Sequence, residues 1–457
     1  LKLLANRLCE TYGFPIAVPN NDDVPQDSRV LQGKLCVNTY HQFKGNERDL
    51  VIVYGVDASN FKFLARDLPD DTCPNTTFVA LTRARKHLVI VHDSRYRPMP
   101  FVDIAELHKT TNFVDLECDG KTPKPKLPGR PVKLGLLLPK QVSASDLPRH
   151  ISGEVIDNVC AKHLQIQKIL PPLPKAEYIN AKDIVCTDSI GYHHEAVSDL
   201  NGLVVMAACE YALLGTLTTL GISKTSSVQF PLTTHEQTIW LCQEACNYAA
   251  QESGYYARRI QMEGHGFDWL GEHVITARDR LKTQFSKTAV LDFEVKLDEM
   301  EFCVADPLGG DSLTTKLCGR ADIVHYEGTL STSEGNSQIH NGEQDTARID
   351  SKEVSIWEIK FVAELSHQHV IQACVYAYLW SNEHKRETPP RIILFNVRDG
   401  EKWEIVPQKG MASLRDVVEE TLVAKYSTKD TITTDEFLKK CAMTRAEVEN
   451  SYKKLKQ

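Results

Sequence analysis

Gly319-Arg320-Ala321-Asp322-Ile323-Val324, and downstream of it Trp357-Glu358-Ile359-Lys360-Phe361, carry the reading of this chain. Side chains alternate across a strand, so Glu358 and Lys360, two apart in an apolar run, share one face. Asp322 lies in a second strand-like run and adds a second acid. An acid from each of two neighbouring strands, with a lysine beside them, makes a divalent-cation site next to a base. Such a site suits attack of water on a phosphodiester. Mg²⁺ or Mn²⁺ takes oxygen ligands and keeps waters that can act as nucleophile. Asp322 and Glu358 are the candidate ligands, and the carbonyl of Ile359 is a third. Lys360 would orient or help deprotonate the water and offset phosphate charge. In the helical stretch that follows, Gln372 and Tyr376 are four apart and fall on one face.

E-x-K alone is common, and an ordinary half-exposed strand accounts for it. Its surroundings give it weight. Working outward, residues 199–220 and 233–250 read as helices, the second with a capping signal at Thr233-Thr234-His235-Glu236. Residues 269–285 read as a further helix. Strands follow at 290–297, 319–325 and 354–361, then a helix at 367–380 and a strand at 391–397. The polar, Gly/Ser-rich run between the second and third strands has the composition of a disordered surface insertion. Residues 411–426 and 434–455 read as terminal helices.

Helix, three strands, helix, strand, with G-R-A-D, E-x-K and Q-x-x-x-Y in that order, resembles the RecB-like branch of the PD-(D/E)XK nucleases over roughly residues 190–405. The resemblance implies a mixed sheet flanked by helices and Mg²⁺-dependent cleavage of DNA, with Gln372 and Tyr376 beside the metal and touching DNA. It also implies a His or Glu ligand from an upstream helix. His273 or Glu272 of Gly271-Glu272-His273 is the first candidate, Glu210 a weaker one, and Glu294 on the first strand could add a further acid. Some relatives hold an iron–sulfur cluster through three cysteines after the Q-x-x-x-Y helix. Only Cys441 follows Tyr376 here, so no cluster is expected. Cys242 and Cys246 are one helical turn apart with no second pair to complete a zinc site, and core packing accounts for them.

Nearer the start stand Val37-Asn38-Thr39-Tyr40-His41-Gln42-Phe43-Lys44-Gly45-Asn46-Glu47 and Phe78-Val79-Ala80-Leu81-Thr82-Arg83-Ala84-Arg85. They resemble the T-x-H-x-x-K-G-x-E and V-A-x-T-R-A motifs of UvrD-like superfamily 1 helicases, over about residues 1–95. Asn46 departs from the leucine usual there. The resemblance implies that Arg83 reaches the γ-phosphate of ATP, that Glu47 contacts the nucleotide ribose, and that Gly45 permits a tight turn. It places Thr39, His41 and Lys44 on the side that touches single-stranded DNA. A guanidinium at the γ-phosphate stabilises transition-state charge and couples hydrolysis to lobe closure. Residues 2–12 read as a helix, 35–39 and 50–54 as strands, the latter a buried apolar run, and 87–91 as another strand. Residues 78–85 open a helix. The alternation predicts a parallel α/β lobe. No G-x-x-x-x-G-K-[ST] loop, which a motor needs to cradle phosphates, occurs in the 457 residues. With Leu1 at the start, the expectation is a fragment whose first motor lobe is missing.

A chain of 457 residues has room for two or three domains with real cores. Pro123, Pro125, Pro128, Pro131 and Pro139, interleaved with Lys121, Lys124, Lys126, Arg130 and Lys133, mark a semi-rigid linker. Residues 144–164 read as a capped helix. The expected organisation is α/β throughout. A RecA-like second motor lobe spans 1–100, a Pro/Lys-rich linker with a helix 101–175, the nuclease domain 176–410 and C-terminal helices 411–457. Hydrophobic content of 42% and no run near the ~18 apolar residues of a membrane span argue against a membrane partner. Thirteen cysteines without a secretory signal read as reduced thiols, hence an intracellular protein. Net charge −8 is awkward for a DNA binder, but bound metal and local basic strips can answer it. The expected activity is a DNA helicase-nuclease, its partners being DNA (single strands or duplex ends), ATP and the missing lobe. A stand-alone nuclease with a vestigial lobe and a non-enzymatic DNA-binding scaffold are the rivals.

Overall fold

A computed structural model describes residues 2–18, 28–39, 46–69, 71–92, 96–112, 114, 135–188, 190–223, 234–286, 288–305, 312–327 and 353–427. His41, Lys44 and Gly45, Thr233, most of the Pro/Lys-rich linker, the Gly/Ser-rich insertion, Cys441 and the helix expected at 434–455 lie outside these residues. The protein is mixed α/β. Among the described residues no helix is long and apolar enough to cross a membrane.

A seven-stranded mixed sheet organises the larger part. Its strands are β1 (Gln141–Ser143), β2 (Leu164–Leu170), β3 (Val290–Val304), β4 (Leu313–Glu327), β5 (Glu353–Lys360), β6 (Arg391–Asn396) and β7 (Lys402–Pro407). The order is β1-β4-β5-β6-β7-β2, with β3 on the remaining edge of β4. Helices α1 (Gly153–His163), α2 (Ser198–Leu214), α3 (Thr234–Ser253), α4 (Val274–Lys282), α5 (His367–Glu383) and α6 (Met411–Tyr426) cover both faces.

Alternation along β5 sorts two cores. Val354 and Ile356 pack with α1, α5 and α6, where Ile156, Val370, Ala373, Leu414 and Val418 are buried. Trp357, with Ile359 partly buried beside it, packs with α2, α3 and α4 through Val204, Leu241, Ala277 and Leu281. Burying a side chain of this size contributes about 1.5–3 kcal/mol, so two such cores suffice to hold the sheet. Parallel strands need a crossover, and α5 provides it between β5 and β6. That connection brings Gln372 and Tyr376 over the end of β5.

The order helix, three strands, helix, strand expected for the central part is the order found. The sheet also recruits β1 and β2, and α6 closes one core, so it draws on chain outside the 176–410 range read from sequence. Three helices come out differently. Residues 199–220 give α2, which ends at Leu214 before Gly215 at φ +69°, and a separate short helix Thr218–Leu220. Residues 144–164 contribute only α1, because Leu164 already pairs with Pro407 and turns the chain into β2. Residues 269–285 split into Asp268–Gly271 and α4, with Glu272 and His273 at the break.

In the first hundred residues the helix at 2–12 and the strands at 50–54 and 87–91 lie where expected, and those two strands pair in parallel, but their packing differs. Helix Lys2–Tyr12 and the parallel pair Ile16–Ala17 and Leu35–Cys36 pack on Tyr255 and Ala257. Gln261 brackets Ile16, its Oε1 accepting from the backbone N–H at 2.6 Å and its Nε2 donating to the carbonyl at 3.0 Å. Lys34, its side chain wholly buried, donates to Glu195 Oε1 at 2.5 Å. Arg48–Tyr54 and Ala84–Val91 form a separate parallel pair. The run expected to be buried is not: Leu50, Ile52 and Tyr54 are more than half exposed. Among the described residues these strands pair only with each other, which leaves apolar side chains uncovered. Phe78–Leu81 closes helix Asn75–Leu81 instead of opening one, and the chain is a strand again by Ala84.

Candidate active site

The site forms at an interruption in the sheet. β3 pairs with β4 along nearly its whole length. On the other edge, β1 takes Lys316–Cys318 and β5 takes Ile323–Glu327. Residues 319–322 therefore have no strand partner on that edge. Asp322 fills the break itself, its Oδ2 accepting from the Ile359 N–H at 2.7 Å. The ring of Tyr376 lies over Gly319, where an added Cβ would stand 2.7 Å from ring carbon Cε1 and 3.3 Å from the Ala144 Cβ. Only glycine admits this approach, which is the physical reason for the glycine of G-R-A-D.

Glu358 and Lys360 point to the same face and meet through Lys360 Nζ and Glu358 Oε1. Lys360 also donates to Gln372 Oε1 at 3.3 Å, and Gln372 Nε2 donates to the Tyr376 hydroxyl at 2.8 Å. One helical turn thus links lysine, amide and phenol in a row. The turn after Lys360 is held by Asn396, which accepts from the Val362 N–H at 3.2 Å and donates to the Val362 carbonyl at 3.0 Å. His369 closes a capping box with Ser366 at the start of α5. Burial, then the Lys360 charge, pushes its imidazole down to about 3.

Glu358 is 1% exposed, and its Oε2 has no hydrogen-bond partner. Burying a carboxylate oxygen with nothing bound to it is costly. Burial, then the nearby Asp322 charge, pushes the Glu358 carboxyl up to about 8, against the pull of Lys360. Burial likewise raises Asp322, with Lys360 and the Ile359 amide opposing. Burial alone would lower the Lys360 ammonium, but Glu358 and Asp322 outweigh it and hold it above its usual value.

A third acid joins them. Glu294 on β3 sits between the pairs Phe293–Ile323 and Val295–Ala321, level with Asp322. Its φ of +50° lies in the left-handed region, which costs a non-glycine residue on the order of 1 kcal/mol. The strand changes phase there: Leu291 and Phe293 belong to the α2–α4 core, whereas Leu297 and, partly buried, Val295 pack in the other. Burial, then Asp322, pushes the Glu294 carboxyl up to about 8, with Arg320 opposing.

Of the upstream candidates, Glu272 and His273 lie apart from these acids and Glu210 lies nearer. Glu272 is exposed and His273 half-buried at the helix break, and neither figures among the charges acting on Asp322, Glu294 or Glu358. Glu210 does act on Glu294, but its own oxygens are taken. Oε1 accepts from the Thr216 hydroxyl and from the Thr218 N–H and hydroxyl, and Oε2 from the Thr219 N–H and hydroxyl, all at 2.6–2.8 Å. It is the internal anchor of the turn after α2. Glu210→Ala should destabilise the protein by about 3 kcal/mol or more, because several buried donors lose their acceptor at once. Urea unfolding reads this out, and a change under about 1 kcal/mol would refute the anchoring role.

Among the described residues no three His, Cys, Asp or Glu side chains close on one point tightly enough to enclose a metal. Asp322 and Glu358, with the orphaned Oε2, fit a cation held by two carboxylates, and magnesium commonly keeps water in its other positions. A pH dependence follows. Glu294 and Glu358 are raised from 4.5 to about 8, so the folded, metal-free protein binds more protons than the unfolded chain. The stability this contributes is complete below 4.5 and is lost as pH rises through about 8. If Mg²⁺ takes the ionised pair, adding it should raise the melting temperature more at about pH 9 than at about pH 6. A differential scan at both values checks the sign.

At the other end of the chain, Arg48 N–H donates to the Arg83 carbonyl at 3.1 Å, which brings Glu47 and Arg83 to one end of the same strand pair. The Arg83 guanidinium turns back on its own helix, donating to the Val79 carbonyl at 3.0 Å. Thr39 and Glu47 are exposed. The chain matches no protein-family profile, no curated protein and no solved structure.

Proposed function

We propose that this chain is a divalent-cation-dependent nuclease acting on DNA, joined to one lobe of an ATP-driven DNA motor. The observation that carries the nuclease reading is the buried, orphaned Oε2 of Glu358, set beside Asp322 and the paired Lys360. Asp322 and Glu358 would hold Mg²⁺ or Mn²⁺, with the Ile359 carbonyl a further candidate donor. The cation, when bound, supplies Lewis acidity and a more acidic water. Lys360 would supply a fixed positive charge beside a water held there. Gln372 orients that lysine. The Tyr376 hydroxyl accepts from Gln372, so its own proton is the one it can offer a phosphate oxygen.

Incubating the chain with a labelled single-stranded oligonucleotide, in Mg²⁺ and in chelator, tests the reading. Cleavage that is equal in chelator, or absent at every Mg²⁺ and Mn²⁺ concentration, would sink it and favour a DNA-binding scaffold.

The motor reading rests on the two motifs and on Glu47 and Arg83 lying at one end of a strand pair. With no phosphate-cradling loop in the sequence, this chain should hydrolyse ATP negligibly. Robust DNA-stimulated hydrolysis by the purified protein would contradict it. Supplied with a lobe carrying that loop, Arg83→Ala should slow hydrolysis roughly 10³-fold, the scale of other arginine fingers.

A further inference from the structure

The carboxylates of the site repel a nucleic-acid backbone, so an approaching strand needs positive charge at the entrance. Two observations locate it. Arg320 stands two residues before Asp322, and in the β3–β4 ladder it lies directly opposite Lys296. Like charges directly opposite each other destabilise a strand pair. Lys296 is exposed and makes no ion pair among the described residues. The second observation is how Arg320 is held. Its Nη1 donates to the Tyr248 hydroxyl at 2.5 Å, while its acidic neighbours are farther, Glu252 at 3.4 Å and Glu294 at 3.8 Å. Tyr248 is backed by Gly221, where an added Cβ would stand 3.0 Å from the ring. Gly221 closes the short helix that Glu210 anchors. A packed series of contacts thus fixes the guanidinium from behind. Exposure falls from 38% for the Arg320 side chain through 19% for Glu294 and Lys360 to 1% for Glu358, so Arg320 is the most accessible of the four.

We propose that Arg320 and Lys296 form a phosphate clamp at the mouth of the site, receiving a backbone phosphate next to the one that is cut. This rests on the nuclease reading for the identity of the strand, though not for the clamp itself. Guanidinium offers planar, paired donors that match phosphate oxygens, and lysine adds a point charge. An incoming phosphate would displace exposed Glu252 from its long contact with the Arg320 guanidinium.

The test uses the whole chain and a fluorescein-labelled single-stranded oligonucleotide. Steady-state cleavage in Mg²⁺ and binding by anisotropy over a salt series are measured for wild type, Arg320→Gln, Arg320→Lys and Lys296→Gln. KM should rise about tenfold for Arg320→Gln and about threefold for Lys296→Gln, with kcat within about twofold. Each lost contact should lower the salt slope of binding by ~0.7, and Arg320→Lys should recover part of the affinity. Lys296 is exposed, so its variant reads the clamp even if Arg320→Gln folds poorly. Unchanged KM and slope in both variants would overturn the clamp. So would a fall in kcat and melting temperature at constant KM, which would make Arg320 a strut for Tyr248. If wild type binds but never cuts, the nuclease reading fails, and the salt slopes alone decide the clamp.

Discussion

Lys360→Ala should abolish DNA cleavage, lowering the rate by ~10²–10⁴, while the protein still binds Mg²⁺. Lysine would be no ligand of the proposed cation, so Asp322 and Glu358 would keep it. The geometry adds a consequence that a simple loss of charge would not have. In the metal-free protein Lys360 is the partner of Glu358, which is 1% exposed. Breaking a buried pair typically costs about 3–5 kcal/mol, because the remaining charge is stranded. Glu358 can escape by taking up a proton, since its carboxyl is already raised to about 8. The metal-free variant should therefore melt lower than wild type at about pH 9 and converge with it at lower pH, and Mg²⁺ should restore it. DNA binding should fall much less than cleavage, as phosphate contacts are spread over many groups. Cleavage and binding run side by side, in Mg²⁺ and in chelator, decide the matter. A variant that cuts at the wild-type rate would remove the metal–lysine mechanism.

Gly319→Ala should be the other severe change, although it touches no charged group. The new Cβ would stand 2.7 Å from the buried ring of Tyr376, with Ala144 at 3.3 Å closing the alternative direction. The ring must move, and overpacking of this kind costs about 1–3 kcal/mol. Tyr376 carries Gln372, and Gln372 carries Lys360, so a displaced ring moves the lysine as well. A misplacement near 1 Å can cost ~10²-fold in rate. Gly319→Ala should thus lose about that much cleavage while DNA binding stays within a few-fold. Gly319→Ala combined with Tyr376→Leu, which removes the ring, should regain stability without regaining activity. Full activity in Gly319→Ala would show that the tyrosine plays no part in placing the lysine.

Local periodicity reaches a definite part of this protein. Alternation in a strand puts Glu358 and Lys360 on one face, and the helical repeat does the same for Gln372 and Tyr376. Each relation spans two to four residues and depends only on backbone geometry. The element order around them follows from the same short-range patterns. What periodicity does not reach is register between distant strands. Glu294 stands level with Asp322 because β3 and β4 pair in one particular alignment with a break at both residues, whereas Glu272 and His273, equally plausible by type, fall on a helix break. Glu210 is consumed by three threonines that its own sequence neighbourhood supplies, a use visible only once the turn closes on it. Burial has the same long-range character. The run from Leu50 to Tyr54 is as apolar as a buried strand should be, yet a side chain is buried only by neighbours brought from elsewhere, and among the described residues that pair of strands has few. The residue types and their short-range spacing were determined by the sequence itself. Which acids share a site, which are spent on the scaffold and which apolar faces are covered was decided by the tertiary structure, because those depend on contacts between segments far apart in the chain.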